Sequence, residues 1–416
     1  MDTVRYFLGY PPARTQPVKV ETDDIYPLHF NDDTKTLREL TLSWTARIDD
    51  VLDADQLHHA LARLLDMGDW RKLGGRLRLR SDGMLEIHVP KEFTPERPAR
   101  SGGCPLNPAR SAIQRRAEMS LHITSFTDAT LVAILWPHTM TGALGLKDLV
   151  VAWCKVLAGR ESEVPCLAGA SRDVLDGVGT DNDGTQEPLL LESKELKGFK
   201  LLGFGLRFMW DVFWRPKVES CMLCLPSAFI EKLRQRASAD LKTAGHGGDL
   251  PFLSDGDILT AWMALFVVRA RGGHRQATIL SAVDVRDRLR AQWVPGAAYV
   301  QNLALSSVTL MSTVDLAQAS LGKLAHTIRQ DLLGADLGEA PVYGEPGSLL
   351  VVSTNWAKAK FFENTDFGPA VIKSGSKDKA VLPGKVAYKD VQGTYWVTAT
   401  LFPNDWAKLE AEIRTI

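Results

Sequence analysis

The segment Thr130–Leu157, TLVAILWPHTMTGALGLKDLVVAWCKVL, decides the fold class. Its first part, Thr130–Trp136, is a nearly continuous apolar run of strand length that Pro137 closes. From Leu144 onward, apolar residues recur at helical spacing. The segment therefore predicts a buried strand, a short loop that contains His138, and a helix. Strand and helix patterns alternate in the same way along the rest of the chain, which indicates an α/β protein whose sheets are covered by helices.

Other segments carry similar local signals. We predict a helix over Asp53–Met67 and a hairpin over Gly75–Pro90. In the second half we predict strands over 219–225, 277–285 and 395–402, and helices over 227–237, 257–271 and 404–413. Regularity fades over 165–215, which ends in LLGFGLRFMWDVFWR. The pattern favours packing of these aromatic residues on one of two flanking domains, and the alternative is a helix that lies on a membrane surface.

His138 is the residue that the pattern singles out for chemistry. A histidine at the end of a buried strand can lie in a crevice and accept a proton near neutral pH. It can equally be a core histidine whose ring is satisfied by the backbone, and the pattern leaves both interpretations open. No histidine has metal-ligand spacing with carboxylates, so no metal site is predicted. Cys221 and Cys224 form Cys-x-x-Cys in a predicted strand, which favours two buried core thiols.

Composition and charge exclude several classes. Lys and Arg total 49 against 50 for Asp and Glu, so the net charge of -1 argues against nucleic acid or anionic lipid as a partner. The 5 cysteines are thinly spread, which is typical of a reducing compartment. The pattern shows neither a secretory signal nor an apolar run of spanning length, and a cytoplasmic protein is expected. A phosphate-binding loop and a nucleophile elbow are also missing from the sequence.

Five segments resemble, in order and spacing, the motifs of the BAHD acyltransferases, particularly those of fungi. The segment around His138, WPHTMTGALGLKDLVVAW, is similar to the active-site segment of that family, where His-x-x-x-Asp precedes an amphipathic helix. The other four are, in chain order, WRKLGGRLRL with IHVP, SDGDILTAWM, AVDVRDRL with YVQN, and TNW followed by DFGPA. The resemblance covers nearly the whole chain.

The resemblance implies an α/β fold of two chloramphenicol-acetyltransferase-like domains. Each domain would be a mixed β-sheet flanked by helices, with a substrate tunnel at their interface. The N-terminal domain would span 1–170 and carry His138, a crossover linker would span 171–217, and the C-terminal domain, with DFGPA, would span 218–416. The resemblance also implies that His138 is the general base of acyl transfer, with acyl-CoA as co-substrate, a small-molecule acceptor, and neither a metal nor a permanently bound cofactor.

Two positions depart from the family motifs. Gly142 stands where the family has the motif Asp, and Pro369 stands where Asp-Phe-Gly-Trp-Gly has its Trp. Proline offers no backbone N–H at that position. In the family the motif Asp pairs with an arginine that matches Arg286. We therefore predict that Arg286 pairs instead with Asp284 or Asp366, because a buried unpaired arginine is costly.

The remaining expectations concern the site and the reaction. Structural support of the site is predicted from Gly142, Asp284, Arg286, Asp366 and Gly368, and substrate contacts from Thr141, Ser353, Thr354, Asn355 and Trp356. The first candidate function is acyl transfer from acyl-CoA to a hydroxyl or an amine of a small secondary metabolite. The alternative is a family member that has lost acyl transfer and either catalyses another reaction, such as a cyclisation, or only binds a metabolite. A monomer is expected.

Overall fold

The structure, a computed structural model, describes residues 19–94, 97, 119–176, 194–214, 218–245, 250–271, 273–286, 288–289, 293–333, 343–367, 372–375 and 384–416. These residues form two compact units. The first unit contains the described residues within 1–176, 291–302 and 365–373. The second contains those within 177–290, 303–364 and 374–416. Each unit therefore includes parts of the chain that are distant in sequence.

The strands are β1 (Asp24–Pro27), β2 (Thr41–Ile48), β3 (Arg76–Leu79), β4 (Leu85–Val89), β5 (Ser120–Ser125), β6 (Thr130–Pro137), β7 (Glu219–Leu225), β8 (Gln276–Asp284), β9 (Ala304–Ser312), β10 (Leu349–Asn355), β11 (Ile372–Gly375), β12 (Gly384–Lys389) and β13 (Tyr395–Leu401). The helices are α1 (Lys35–Glu39), α2 (Ala54–Leu64), α3 (Ala143–Leu157), α4 (Gly198–Trp214), α5 (Ser227–Thr243), α6 (Asp255–Arg271), α7 (Thr313–Gln318), α8 (Leu321–Leu333), α9 (Phe361–Asn364) and α10 (Pro403–Thr415).

The first unit contains two sheets. One has the order β11–β2–β6–β5, and both β2 and β5 run antiparallel to β6. Alternate side chains of β2 are buried, namely Leu42, Trp44, Ala46 and Ile48, as expected where one face of a strand covers a core. The other sheet has the order β1–β4–β3, and its β3–β4 pair is the predicted hairpin. Gly83, at φ 86°, supplies the left-handed residue of the hairpin turn.

The predicted strand, loop and helix around His138 are confirmed. Strand β6 ends at Pro137 and helix α3 begins at Ala143. The side of α3 that carries Leu146, Leu149 and Trp153 is buried. Burial of these side chains holds the helix, and hence the end of the loop, in place.

The second unit contains a six-stranded mixed sheet in the order β7–β13–β12–β10–β8–β9. Strand β10 runs parallel to β8 and to β12, and the other neighbouring pairs are antiparallel. Helix α6 is apolar around most of its circumference and buried from Asp257 to Val268, as expected of a core helix. It packs with α5 and α8, so this sheet is flanked by helices as predicted.

The start of the DFGPA segment packs in the first unit, although the expected boundaries placed this segment in a C-terminal domain. The rings of Phe367 and Trp153 have centroids 4.8 Å apart. The Asp366 N–H donates to the Sγ of Cys154 at 3.2 Å. The chain continues into β11, which lies beside β2, so it returns to the first sheet at this point. Gly368 and Pro369 lie outside the described residues.

Two aromatic residues of helix α4 are not buried as predicted. Phe199 is 91% exposed, Leu206 65% and Trp210 59%. The helix approaches the rest of the second unit through a small residue, since a Cβ on Gly203 would lie 3.4 Å from the Cβ of Pro346. Phe199 and Trp210 are therefore mostly exposed to solvent. No helix among the described residues is long and apolar enough to cross a membrane.

The prediction of two buried core thiols in Cys-x-x-Cys is also wrong. Cys221 and Cys224 are exposed. Strand β7, which carries them, is the edge of the six-stranded sheet, and most of its side chains face solvent.

Candidate active site

Hydrogen bonds fix the path of the loop that carries His138. The His138 N–H donates to the carbonyl oxygen of Leu40 at 2.9 Å, which prolongs the β2–β6 pairing by one residue. The indole Nε1 of buried Trp136 donates to the carbonyl oxygen of Thr141 at 2.8 Å. The carbonyl oxygen of Gly142 accepts the first backbone bond of α3. The loop is therefore tied to the sheet, to a buried tryptophan and to the helix.

The imidazole of His138 is partly buried. Its Nδ1 is enclosed and has no hydrogen-bond partner among the described residues. Burial lowers the pKa of His138, and the nearby oxygens of Asn302 and Thr141 act in the opposite direction. Because the pKa lies below its usual value of 6.5, the ring is uncharged at neutral pH and available as a base.

Asn302, from the YVQN segment, joins the His138 loop to a buried carboxylate. Its Nδ2 donates to the carbonyl oxygen of His138 at 2.8 Å. The same Nδ2 donates to Oδ1 of Asp32 at 2.8 Å, and the Asn302 N–H donates to that oxygen at 2.8 Å as well. Asn302 is 4% exposed and Asp32 is 1% exposed, so this set of bonds is shielded from water.

The surroundings of Asp32 are unusual for a carboxylate. Burial raises the pKa of Asp32 to about 6, and the charge of Lys72 and the bonds from Asn302 only partly oppose this rise. Lys72 is itself buried, which lowers its pKa, and its Nζ donates to the carbonyl oxygen of Ala170 at 2.9 Å. His29 is also buried, and its Nε2 lies 2.6 Å from the carbonyl oxygen of Gly169. Titratable groups thus meet in the interior of the first unit.

The YVQN segment reaches this position because it packs closely on the first turns of α3. A Cβ on Gly145 would lie 2.8 Å from the Cα of Val300, so only glycine permits this approach. The Tyr299 N–H donates to Oδ2 of Asp148 at 3.1 Å. These contacts place Asn302 beside the His138 loop.

The space next to Gly142 is occupied by Asn302. A Cβ on Gly142 would lie 2.9 Å from Oδ1 of Asn302 and 3.8 Å from Cε1 of His138. The backbone of Gly142, at φ -97° and ψ -170°, is extended and open to any residue. The constraint on this position is therefore space rather than backbone conformation. The amide oxygen of Asn302 therefore lies next to the position at which the side chain of the motif Asp would begin.

The predicted substrate contacts belong to both units. Thr141 lies beside His138, but it is 2% exposed and its Oγ1 donates to the carbonyl oxygen of Gly142 at 3.3 Å. The others, Ser353, Thr354, Asn355 and Trp356, lie at the end of β10 in the second unit.

The residues at the end of β10 have partners within the second unit. The hydroxyls of Ser353 and Thr260 are 2.9 Å apart. Oδ1 of Asn355 accepts the Ala357 N–H at 3.0 Å. Trp356 is buried, and Thr354 is half-buried. A substrate contact of these residues stays a prediction.

Asp284 is a carboxylate partner of Arg286, which is one of the two pairings that the sequence predicted. Its Oδ2 lies 3.7 Å from Nε of Arg286, and its Oδ1 accepts the Arg286 N–H at 2.9 Å. Within the described ranges, no group of three or more His, Cys, Asp and Glu side chains could hold a metal ion.

We compared the chain with known proteins by sequence and by structure. No family model matches the chain. It is 36% identical to Acetyltransferase pyiB of Pyricularia grisea, over 97% of this chain and 95% of that protein. It is 32% identical to O-acetyltransferase PaAT-2 of Phomopsis amygdali, over 95% of this chain and 99% of that protein. The solved structure of F. sporotrichioides TRI101, complexed with coenzyme A and T-2, matches with a TM-score of 0.67 at 16% identity, over 93% and 97% of the two chains.

These matches define a two-domain α/β fold shared with acyltransferases. The chain belongs to the BAHD-type acyltransferase family. The resemblance drawn from the sequence motifs and the predicted fold class are both confirmed.

Proposed function

We propose that this protein transfers an acyl group, with acetyl as the first candidate, from acyl-CoA to a hydroxyl group of a small secondary metabolite. The observation that carries the proposal is His138, an uncharged and partly buried imidazole on a loop fixed by hydrogen bonds at the end of β6. The relatives named acetyltransferase and O-acetyltransferase, and the coenzyme A complex of TRI101, support the donor and the bond formed.

His138 would act as the general base. The hydroxyl oxygen of the acceptor attacks the thioester carbonyl carbon, and its proton passes to the imidazole, which avoids a free alkoxide. The C–O bond forms and the C–S bond breaks as the tetrahedral intermediate collapses, and the imidazolium returns the proton to the sulfur of coenzyme A. The oxygens of Asn302 and Thr141 near the ring, which favour a higher pKa for His138, would stabilise the imidazolium in between.

The missing motif Asp is the observation that favours the alternative without acyl transfer. Its weight depends on whether the His138 loop needs that carboxylate. In this chain Trp136 and Asn302 donate hydrogen bonds to carbonyl oxygens of the loop, so an ordered loop does not require a side chain at Gly142. Acyl transfer is therefore the function that the geometry supports better.

The test combines binding with turnover. Purified protein is unfolded thermally with coenzyme A, with acetyl-CoA and with no ligand, and is then incubated with acetyl-CoA and a panel of hydroxylated metabolites while thiol release is recorded. A ligand present at one hundred times its Kd should stabilise the fold by about 2.7 kcal/mol. We expect His138→Ala to keep this stabilisation and to lose thiol release.

Two outcomes would overturn the proposal. Absence of stabilisation by both coenzyme A and acetyl-CoA would remove the donor and favour the alternative of a reaction on a single bound metabolite. Full turnover in His138→Ala would remove the proposed base.

A further inference from the structure

We propose that Asp32 is a positioning residue which, through Asn302, holds the His138 loop in its working geometry. Asp32 contacts neither substrate nor the imidazole in this role. The catalytic consequence rests on the proposed function, whereas the structural link can be tested without any acyl transfer.

The hydrogen bonds of the Asn302 amide leave it one orientation. Nδ2 has two protons, and the two acceptors within 2.8 Å of it are Oδ1 of Asp32 and the carbonyl oxygen of His138. Both protons are therefore used. If the amide were turned over, its oxygen would face two other oxygens, so the bonds assign nitrogen to this side and oxygen to the side of Gly142.

Asp32 fixes the main chain of Asn302 in addition to its side chain. The Asn302 N–H donates to the same Oδ1 at 2.8 Å, so one carboxylate oxygen holds both ends of the residue. The carbonyl oxygen of His138 is bonded to an amide that cannot rotate without breaking a bond to Asp32. The position of that carbonyl limits the φ and ψ angles of the loop, and with them the direction of the imidazole.

Burial and charge argue that the carboxylate is not present for packing alone. Asp32 is 1% exposed, and it faces the charge of Lys72, the backbone and side-chain amide of Asn302, and the backbone of His29. Burying a charge is costly even beside a buried lysine, and apolar or neutral residues can fill such a position more cheaply. A strong acceptor for two N–H groups of Asn302 is what a carboxylate adds here.

Gly142 completes the arrangement. Its missing side chain leaves room for Oδ1 of Asn302, which a Cβ would meet at 2.9 Å. In this chain the Asp32–Asn302 pair holds the loop at the position where the family motif carries its Asp. A carboxylate from a distant part of the sequence, acting through Asn302, replaces one from within the loop.

The first measurement observes the imidazole directly. Protein labelled with ring-13C histidine is compared by NMR with His138→Ala, whose missing signal identifies His138. We expect this signal to shift or broaden in Asp32→Ala and in Asn302→Ala, and to stay close to wild type in Asp32→Asn, which keeps an acceptor Oδ1. Gln301→Ala is the matched control, because its amide, in the same buried segment, bonds Asp173 rather than the His138 loop.

The second measurement separates kcat from KM with acetyl-CoA. A misplaced base should lower kcat by about 10–100-fold while the KM for acetyl-CoA stays within about twofold. The loss in the double variant Asp32→Ala/Asn302→Ala should be no larger than in the single variants, because both act through one contact. Asp32→Asn should restore most of the rate.

The outcomes are distinct. An unchanged His138 signal in both alanine variants would overturn the proposal, as would equal losses of kcat in Gln301→Ala. If the wild type transfers no acetyl group to any acceptor, the proposed function fails, and the NMR comparison still decides whether Asp32 positions the loop.

Discussion

Gly142→Ala adds a single methyl group beside the candidate base. Its carbon would lie 2.9 Å from Oδ1 of Asn302, whereas ordinary van der Waals contact begins at 3.4 Å, so the amide must retreat by about 0.5 Å. The amide resists this movement because its bonds to Asp32 and His138 are already 2.8 Å long. Overpacking of this kind costs about 1–3 kcal/mol. Each kcal/mol lowers the Tm by roughly 2–4 °C in a domain of 150–250 residues.

The assay is thermal unfolding followed by measurement of kcat with acetyl-CoA. Gly347→Ala is the control, since it adds the same methyl group where nothing lies within 4 Å. We expect Gly142→Ala to lose both stability and rate, and Gly347→Ala to lose neither. In an Asn302→Ala background the loss of stability caused by Gly142→Ala should shrink, because the obstructing amide is gone. A Gly142→Ala variant as stable as wild type, or an undiminished loss in that background, would refute the reasoning.

Three further outcomes are expected. His138→Ala should lower kcat by about 10²–10⁴-fold with acetyl-CoA binding retained, and the acid limb of the wild-type kcat/KM profile should lie below pH 6.5, since burial lowers the pKa of His138. Gly145→Ala should yield little folded protein by circular dichroism, since its Cβ would lie 2.8 Å from the Cα of Val300 and backbone atoms cannot move aside as a flexible side chain can. Burial raises the pKa of the Cys154 thiol to about 12, so folded protein treated with iodoacetamide near pH 8 should be alkylated at exposed Cys221 and not at Cys154, as read by peptide mass spectrometry.

The parts of the fold that the sequence predicted are those with local signals. The strand β6 and helix α3 were predicted because an apolar run, a proline and a 3.6-residue period lie next to one another. Strand β7 was predicted with its observed bounds, although its exposure was not, because sequence alternation does not show which strand lies at a sheet edge. Strand β9, ALSSVTLMS, was missed, since its serines interrupt the apolar pattern.

In the candidate site, too, the residue with a local sequence signal was predicted and the residues without one were not. His138 could be predicted because it follows a buried strand directly. Asp32 and Lys72 could not, because no periodic pattern marks them and their environment depends on distant segments. The contact of Asp32 with Asn302 joins residues 270 positions apart. The sequence held one signal for Asn302. Gly142 replaces the motif Asp, so another side chain could occupy the space that the Asp leaves, and in the structure Asn302 lies there.

The ionisation of Asp32 shows which requirement the carboxylate meets. Burial raises its pKa from 3.8 to about 6. Between these two pH values the folded chain therefore binds more protons than the unfolded chain. The stability that the protonated group contributes at low pH is therefore lost as the pH rises through about 6, and the loss amounts to roughly 3 kcal/mol for a shift of about two pKa units. At neutral pH the charge thus opposes folding. The same charge opposes the lowering of the pKa of buried Lys72, and the carboxylate accepts the bonds of the amide that holds the His138 carbonyl. These contacts, rather than a gain in stability from its own ionisation, account for a carboxylate at this position.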